Sequence, residues 1–294
     1  MRIGIIGTGL IGGSLGLALK GNKKYSVYCF NRRVEISKKA VQLGAAQKYF
    51  ETIEELTKNS DVIIIATPLA SYPAICKKIS KELTAEKIIS DIGSVKYLPV
   101  KEALKNIPKI FHNNFIPAHP IAGSEKAGVE NAKAEMFADK KLLITPYSKT
   151  TSAAGIKIIS QLWKTAGSKV EMLDAKKHDE IYAHVSHYVQ FLSFELSKII
   201  KTNLGEFNRL MNSPREMWNE IFEFNHVNLD KINRKFIREL AKTHSPIKTT
   251  RAQNSDLITA IIAAQILDDI TPTAYKRYAG SGYKSFTSVL KNSK

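Results

Sequence analysis

The sequence predicts an α/β protein in which a domain built on a parallel sheet precedes an all-α C-terminal domain. A short apolar strand, a glycine-rich turn and a helix open the chain, and strand and helix patterns then alternate to about residue 173. Only helical patterns follow, and such a change indicates a second domain. With 294 residues the chain is long enough for both. We therefore predict an α/β domain at residues 1–173 and a helical domain at residues 174–294.

The first strand, residues 2–6, leads directly into a turn of the form Gly-x-Gly-x-x-Gly, which a helix follows. In such a turn one glycine allows the tight bend, the second lets a pyrophosphate approach the backbone, and the third lets the helix pack on the strand. The strand before it and the helix after it disfavour a merely glycine-rich turn, so we predict a Rossmann-type dinucleotide-binding domain. Its expected phosphate-binding residues are Gly7, Thr8, Gly9, Leu10, Ile11 and Gly12.

The second strand, residues 25–30, ends where an NAD site usually has an acidic residue that binds the ribose. Here the sequence has Asn31, Arg32 and Arg33 instead. Two guanidinium groups suit a 2′-phosphate through bidentate, charge-assisted hydrogen bonds, so NADP is favoured over NAD. The preference stays open if one arginine only stacks on the adenine.

The next strand is the β-branched run at residues 61–66, which is typical of a parallel strand buried on both faces. It ends in Thr67 and Pro68. Loops at the carboxyl ends of such strands meet the ligand, so these two residues are expected beside the nicotinamide half of the cofactor.

Two further strands, residues 87–90 and 115–118, end in polar residues that can carry chemistry. Asp91 and Ser94 follow the first of them, and His119 follows the second. Because the carboxyl ends of parallel strands meet at one edge, the three side chains are expected to converge there, with Asp91 near the cofactor. Ser94 could hydrogen-bond the imidazole and fix its tautomer, as a catalytic base requires. Taken alone, His119 is more often a structural histidine.

The remaining elements complete the two domains. A strand at residues 141–145, a helix at about 152–166 and a strand at 168–173 end the first domain. The predicted helices of the second domain lie at about residues 176–201, 214–224, 228–242 and 255–267.

The formal net charge of +17 raises the possibility of nucleic-acid binding. The basic residues are spread along the whole chain, mostly on polar sides of helices, and form no basic arm or aromatic-rich stripe. A solvated surface explains this pattern, and we predict no nucleic-acid partner. The positive field would help to attract small anionic ligands.

No apolar run reaches the roughly 20 residues that a membrane-spanning helix needs. Met1 and Arg2 lead directly into the first strand, without the longer apolar segment and cleavage site of a signal peptide, so we expect none. The two cysteines, Cys29 and Cys76, lie far apart within apolar or helical patterns. Neither a disulfide framework nor a zinc site is indicated. We therefore expect a cytoplasmic protein without a membrane partner or a bound metal.

The motifs, in their order along the chain, resemble those of the prephenate/arogenate dehydrogenases over roughly residues 1–225. The segments that carry the resemblance are Gly7–Ser14, Asp91–Lys96, His119–Gly128, His178-Asp179, Ala183-x-x-Ser186-His187 and Met217-Trp218. It implies oxidative decarboxylation of prephenate to 4-hydroxyphenylpyruvate, or of arogenate to tyrosine, with hydride transfer to a nicotinamide cofactor, in tyrosine biosynthesis. It also implies a substrate-binding helical domain through which two chains form a homodimer.

The resemblance assigns roles to residues at matching positions. His119 would be the base that takes the hydroxyl proton, with Ser94 hydrogen-bonded to it and to the substrate hydroxyl. His187 and Arg209 would hold the substrate, the arginine by a bidentate grip on the ring carboxylate. Glu125 resembles the gating acid of the family.

His178 is also assigned to the substrate by this resemblance, although a histidine at a helix start is as often structural.

The chain departs from the family pattern in two places. Residues 214–216, before Met217, read Pro-Arg-Glu where the family has Asp-Pro, and the glycine-rich turn expected ahead of Arg209 is missing. A glycine-rich turn of that kind occurs instead at residues 278–288. One hypothesis is a degenerate internal repeat, with residues 183–213 and 252–293 as its copies, and the alternative is a chance glycine-rich tail.

Two other functions remain open from the sequence. One is another NADP-linked dehydrogenase with the same plan, which would commonly need a Lys or Asp constellation in the helical domain. The other is a nucleotide-sensing regulator that has lost the chemistry, which the departures from the family pattern would support.

Overall fold

The computed structural model describes residues 1–124, 126–199 and 207–242, and it divides the chain into two compact units. Of the described residues, 1–124, 126–182 and 212–224 belong to the first unit, and 183–199, 207–211 and 225–242 belong to the second. The first unit therefore extends beyond residue 173, where the strand pattern ends, and takes in two later helices.

The first unit is organised by an eight-stranded sheet in the order β3-β2-β1-β4-β5-β6-β7-β8. The chain order reverses beside β1, which leaves a crevice at the carboxyl ends of β1 and β4 where ligands bind in sheets of this kind. The strands are β1 Arg2–Ile6, β2 Ser26–Phe30, β3 Lys48–Tyr49, β4 Val62–Ile65, β5 Ile88–Asp91, β6 Phe115–Pro120, β7 Lys141–Ile144 and β8 Lys169–Met172.

Helices cover the sheet and form the second unit. The α-helices are α1 Leu10–Leu19, α2 Val34–Gln42, α3 Ile53–Lys58, α4 Tyr72–Ile79, α5 Tyr97–Leu104, α6 Ala153–Thr165, α7 Ala175–Tyr182, α8 Tyr188–Ile199, α9 Phe207–Met211, α10 Arg215–Phe224 and α11 His226–Lys242. Short 3₁₀ turns occupy Leu69–Ser71, Ser80–Glu82, Lys109–Asn114, Val129–Asn131 and Ala134–Phe137.

Two hydrophobic clusters, one on each face of the sheet, explain the continuous apolar runs in the strands. In β4, Val62 and Ile64 belong to one cluster and Ile63 and Ile65 to the other, because successive side chains point to opposite faces. Helices α1 and α6 complete the first cluster with Leu15, Leu19, Ile159 and Trp163, and α4 and α5 complete the second with Ile75, Ile79, Val100 and Leu104.

Strand β7 runs antiparallel to β6, whereas the other neighbouring pairs of the sheet are parallel. The predicted parallel sheet is thus confirmed except at this pair. The described part of the segment between β6 and β7 holds two short 3₁₀ turns instead of the crossover helix that usually precedes a parallel strand. This segment lies on α1, where Ser14 Oγ accepts the Lys133 N–H at 2.9 Å.

The helix predicted at residues 176–201 is interrupted. A π-helical turn, Ala183–His187, separates α7 from α8 and marks the boundary between the two units. Such turns insert an extra residue into a helix and often occur at functional sites. The helical periodicity of the sequence does not reveal this insertion.

Hydrogen bonds between helices hold the second unit together. Tyr188 Oη, at the start of α8, donates to Asn233 Oδ1 on α11 at 2.7 Å, and Gln190 Nε2 donates to the Leu210 carbonyl of α9 at 2.6 Å. In the described ranges no helix is both long and apolar enough to cross a membrane. The helix predicted at residues 255–267, the glycine-rich segment at 278–288 and the second copy of the hypothetical repeat lie outside the described residues.

We expect Lys87→Met to lower the free energy of unfolding by about 1–3 kcal/mol, since it would remove the Lys87 hydrogen bond from the Ser60 carbonyl in a buried position. Lys87 lies buried before β5, and its ammonium donates to the carbonyls of Thr57 and Ser60 at 2.8 and 2.6 Å, at the end of α3. Equilibrium urea unfolding measures the loss. The control is Lys58→Met on the exposed side of α3, which should change stability by less than about 0.5 kcal/mol. Equal losses in the two variants would contradict the capping role.

Candidate active site

The glycine-rich turn lies between the carboxyl ends of β1 and β4. Gly7 has φ +98°, and a Cβ there would collide with the Ala66 carbonyl, whereas a Cβ on Gly12 would collide with the Gly7 carbonyl oxygen. A Cβ on Gly9 would meet nothing within 4 Å, and the first turn of α1 carries no acidic residue. The backbone is thus open beside a helix N-terminus, an arrangement that fits the pyrophosphate of a dinucleotide. Thr8 in this turn is buried, and Leu10 and Ile11 are half-buried in the first turn of α1.

The loop after β2 is joined to this turn. Asn31 Nδ2 donates to Thr8 Oγ1 at 3.3 Å, and Asn31 Oδ1 accepts the N–H of Arg33, the residue before α2, at 3.1 Å. Arg32 and Arg33 are both exposed. The loop therefore offers two exposed guanidinium groups and no carboxylate at positions 31–33.

Thr67 and Pro68 follow β4 at the same edge of the sheet. Thr67 Oγ1 and Ser71 Oγ lie 2.8 Å apart in a hydrogen bond, and Ser71 Oγ lies 2.6 Å from the Pro68 carbonyl oxygen, which can accept its proton. The loop is thus closed on itself by side-chain hydroxyls at the predicted position.

A fully buried ion pair joins the ends of β5 and β6. Lys96 Nζ donates to Asp91 Oδ2 at 2.5 Å and to the Ala118 carbonyl at 2.6 Å. Asp91 Oδ2 also accepts the Tyr72 hydroxyl at 2.8 Å and the Gly93 N–H at 2.9 Å. Burial lowers the pKa of Lys96, and the Asp91 carboxylate opposes that shift. Asp91 therefore connects the end of β5 to neighbouring parts of the first unit. Its predicted contact with a cofactor stays a prediction.

His119, the last residue but one of β6, begins a hydrogen-bonded chain of three side chains. His119 Nδ1 lies 2.9 Å from His178 Nε2, and His178 Nδ1 lies 2.8 Å from Asp179 Oδ1. His119 is 9% exposed, His178 0% and Asp179 3%. Two of the predicted residues, His119 and His178, are thus brought into direct contact although 59 positions separate them.

Two residues of α7, Asp179 and Tyr182, fix the positions of these hydrogen-bonded side chains. Asp179 Oδ1 and Oδ2 accept the backbone N–H groups of Lys96 and Tyr97, each at 2.8 Å, at the start of α5. Tyr182, one turn after His178, stacks on its ring with centroids 4.6 Å apart and planes at 22°. Burial lowers the pKa of His178, and the hydrogen bond to Asp179 opposes that shift. A neutral His178 ring is therefore favoured at pH 7.

Ser94 differs from its predicted place beside the imidazole nitrogen. Among the described residues no hydrogen bond joins Ser94 to His119, and His178 lies at Nδ1 of the ring instead. The half-buried Ser94 remains near the end of β5, so its catalytic role stays a prediction.

The other predicted substrate residues lie in the second unit or outside the described residues. His187 is buried in the π-helical turn, where Asn225 Nδ2 lies 2.9 Å from its Nδ1. Arg209 is exposed on α9, and Met217 is exposed on α10 of the first unit. Glu125 falls on a position that the structure does not describe.

Sequence reasoning assigned no role to three residues of this site: Lys96, Asp179 and Tyr182. Each had a local signal. Lys96 follows Asp91 by five positions across a glycine, Asp179 adjoins His178, and Tyr182 is four positions further on, the spacing that places two side chains on one face of a helix.

Comparisons with known proteins agree on one family. Residues 15–172 match the family model described as prephenate dehydrogenase, nucleotide-binding domain. Cyclohexadienyl dehydrogenase of Zymomonas mobilis is 26% identical over 262 residues, which cover 84% of this chain and 88% of that protein. Prephenate dehydrogenase of Bacillus subtilis is 27% identical over 269 residues, covering 85% and 71%.

A solved structure gives the same result. The crystal structure of prephenate dehydrogenase from Aquifex aeolicus, in complex with hydroxyphenyl propionate and NAD+, is 28% identical with a TM-score of 0.76. The similarity covers 90% of this chain and 96% of that one. The likeness thus extends over nearly the whole of that chain.

Replacing Lys96 with Met should lower the free energy of unfolding by about 3–5 kcal/mol, because it would leave the Asp91 carboxylate buried without its counter-ion. Urea unfolding followed by circular dichroism measures the change. Lys105→Met, at the exposed end of α5, removes the same charge from a solvated pair with Glu102 and should cost less than about 1 kcal/mol. A loss no larger for Lys96→Met than for this control would show that the buried pair does not stabilise the fold.

Proposed function

The chain belongs to the prephenate dehydrogenase family, whose nucleotide-binding model matches residues 15–172, and on that premise we propose how its residues carry out the reaction. It is an oxidoreductase of the prephenate/arogenate type, which oxidatively decarboxylates its substrate with a nicotinamide dinucleotide in tyrosine biosynthesis. The single observation that carries the proposed mechanism is the position of His119, which lies near the carboxyl end of β6, at the sheet edge where β1 and β4 also end, and is hydrogen-bonded to His178.

The proposed cofactor site uses the edge formed by β1, β2 and β4. The turn around Gly9 would hold the pyrophosphate, helped by the N–H groups at the start of α1. The loop after β4 would border the nicotinamide ring, and Asp91 is proposed to lie near the cofactor at the end of β5. When bound, the cofactor accepts the hydride that the substrate loses.

NADP is the cofactor form that we propose. Arg32 and Arg33 are exposed after β2, and positions 31–33 contain no carboxylate that would repel a phosphate. A 2′-phosphate could accept charge-assisted hydrogen bonds from both guanidinium groups, with Asn31 beside the ribose. The Aquifex aeolicus relative was solved with NAD+.

His119 is the proposed base. Its ring would take the proton of the substrate hydroxyl while the hydride leaves the ring carbon that carries this hydroxyl. Ser94 would hydrogen-bond the hydroxyl. The ring carboxylate then leaves as CO2, its bonding electron pair enters the ring, and the ring becomes aromatic. His119 can return the proton to the phenolate oxygen, so no proton is gained or lost overall.

The substrate carboxylates are proposed to bind residues of the second unit. The Arg209 guanidinium can hold a ring carboxylate through two parallel hydrogen bonds, and His187 is proposed to bind the substrate beside it. Glu125 is proposed to gate the site. Residues that contact the side chain of the substrate would select between the keto group of prephenate and the amino group of arogenate.

A homodimer through the helical unit and a cytoplasmic location are further proposals. Helix α8 and the turn before it expose apolar side chains at Val185, Val189 and Ile199, as a helix that packs on a second chain would.

Both cysteines are buried thiols, as expected of a protein in a reducing compartment.

The activity is tested with purified protein and each combination of NADP+ or NAD+ with prephenate or arogenate, by the absorbance of the reduced nicotinamide. His119→Asn should lower kcat on the order of 10²–10⁴-fold and leave cofactor affinity nearly unchanged, because it removes the base and no phosphate contact. His112→Asn, on the 3₁₀ turn before β6, is the matched control and should keep normal turnover. Near-normal turnover in His119→Asn would refute the assignment of the base.

Replacing Arg32 and Arg33 together with Ala should raise the Kd of NADP+ on the order of 10–100-fold, as expected for the loss of a hydrogen bond to a charged group. The Kd of NAD+ should change much less, since NAD+ has no 2′-phosphate to lose contact with. Titration calorimetry measures both constants. Lys23→Ala with Lys24→Ala, two exposed cations before β2, controls for the loss of charge. An equal effect on NAD+ and NADP+ would mean that the arginines do not read the phosphate.

A further inference from the structure

The described part of the site contains a feature that the proposed reaction has not used. His119 Nδ1 faces His178 Nε2, on the side of the ring opposite to the nitrogen that would meet a substrate. The contact continues from His178 Nδ1 to the Asp179 carboxylate. His178 is completely buried and both its ring nitrogens are bonded within the protein, which favours a role behind His119 over direct contact with a substrate.

The hydrogen bonds fix the direction of donation along this chain. Asp179 accepts backbone N–H groups of Lys96 and Tyr97, one on each oxygen, as an ionised carboxylate does. His178 Nδ1 must therefore donate to Asp179. A neutral imidazole has one donor nitrogen and one acceptor nitrogen, so His178 Nε2 accepts and His119 Nδ1 donates. The lone pair of His119 then lies on Nε2.

We propose that His178 and Asp179 are positioning residues, which fix the tautomer and orientation of His119 so that Nε2 can accept the substrate hydroxyl proton. The Asp179 carboxylate would also stabilise, through His178, the imidazolium that forms on His119. This inference rests on the proposed function, in which His119 is the base.

The rings around the chain are held in fixed orientations. Tyr182 stacks on His178 and meets His119 edge-on, with centroids 5.2 Å apart and planes at 62°. The two imidazole planes lie at 68° to each other. A base held by two ring contacts and a hydrogen bond loses little further freedom when a substrate binds.

The charges around His178 support stabilisation of an imidazolium. Among the described residues, the groups that face it are Asp179, His119 and Tyr182, and the charges of Lys96 and Asp91 also act on it. The Asp179 carboxylate is hydrogen-bonded to His178 itself, whereas the Lys96 ammonium is paired with Asp91. A carboxylate in a buried position attracts a nearby positive charge more strongly than one in water.

The first test reads the tautomer without any substrate. Nitrogen-15 NMR of protein with labelled histidine rings should show a protonated Nδ1 and an unprotonated Nε2 on His119, assigned by its loss in His119→Asn. In Asp179→Asn, an amide that turns its NH2 group toward His178 reverses the chain of donors and should move the His119 proton to Nε2. A His119 tautomer with the proton on Nε2 in the wild type would overturn the inference, whatever reaction the protein catalyses.

The second test uses turnover with the substrate and cofactor that give activity. Asp179→Asn should lower kcat on the order of 10²–10⁴-fold with little change in KM, and the acid limb of its pH profile should move to lower pH because a negative charge is lost. Glu180→Gln removes the same charge from the next, exposed residue of α7 and should leave kcat and the limb unchanged. A folded Asp179→Asn with normal kcat or an unmoved limb would overturn the inference.

A third variant guards against loss of the fold in Asp179→Asn, because that side chain also binds the start of α5. In His178→Gln the amide oxygen can accept the His119 Nδ1 proton, which keeps the tautomer but breaks the link to the carboxylate. It should retain more kcat than Asp179→Asn and shift the acid limb in the same direction. No shift in a folded His178→Gln would show that His178 has only a structural role.

Discussion

A lysine ammonium buried away from water connects the parts of this site. Lys96 donates from its side chain to Asp91 and to the carbonyl of Ala118, the residue before His119, and its backbone N–H donates to Asp179. One residue therefore bonds both buried carboxylates and fixes the end of β6. Burying a charge is costly unless it is paired and hydrogen-bonded, and here both conditions hold. The ends of β5 and β6, the start of α5 and the position of α7 depend on this arrangement.

The features that the sequence predicted are those encoded locally. The glycine-rich turn could be predicted because its residues are required by one bend and one close approach of a helix, and the run in β4 because four buried positions in succession must all be apolar. The direction of β7 could not be predicted, because a run such as Lys141–Ile144 has the same pattern in either orientation. The π-helical turn could not be predicted either, because its extra residue leaves the apolar spacing on either side unchanged.

The site itself was predicted in part. His119 and the strand ends of the first unit lie where the order of elements placed them, since parallel strands end at one edge. The partner of His119 was not predicted, because Ser94 was the nearest polar residue along the sheet edge whereas His178 arrives from a helix 59 positions later. Contacts of that range depend on how α7 packs, and a single sequence carries no direct signal of it. The roles of Ser94, His187, Arg209 and Glu125 rest on family resemblance and stay predictions.

The segment between β6 and β7 has a consequence for the point during synthesis at which the first domain can fold. The segment before β7 lies beside α1, where Val129 lies against Gly13 and the Lys133 N–H donates to Ser14. A nascent chain of about 100 residues already carries the whole glycine-rich turn, but it lacks the segment that covers the helix after that turn. Domains fold as units when their last contacts have emerged. The dinucleotide-binding turn, although it is the first part of the chain to be made, is completed only after residue 133 has left the ribosome.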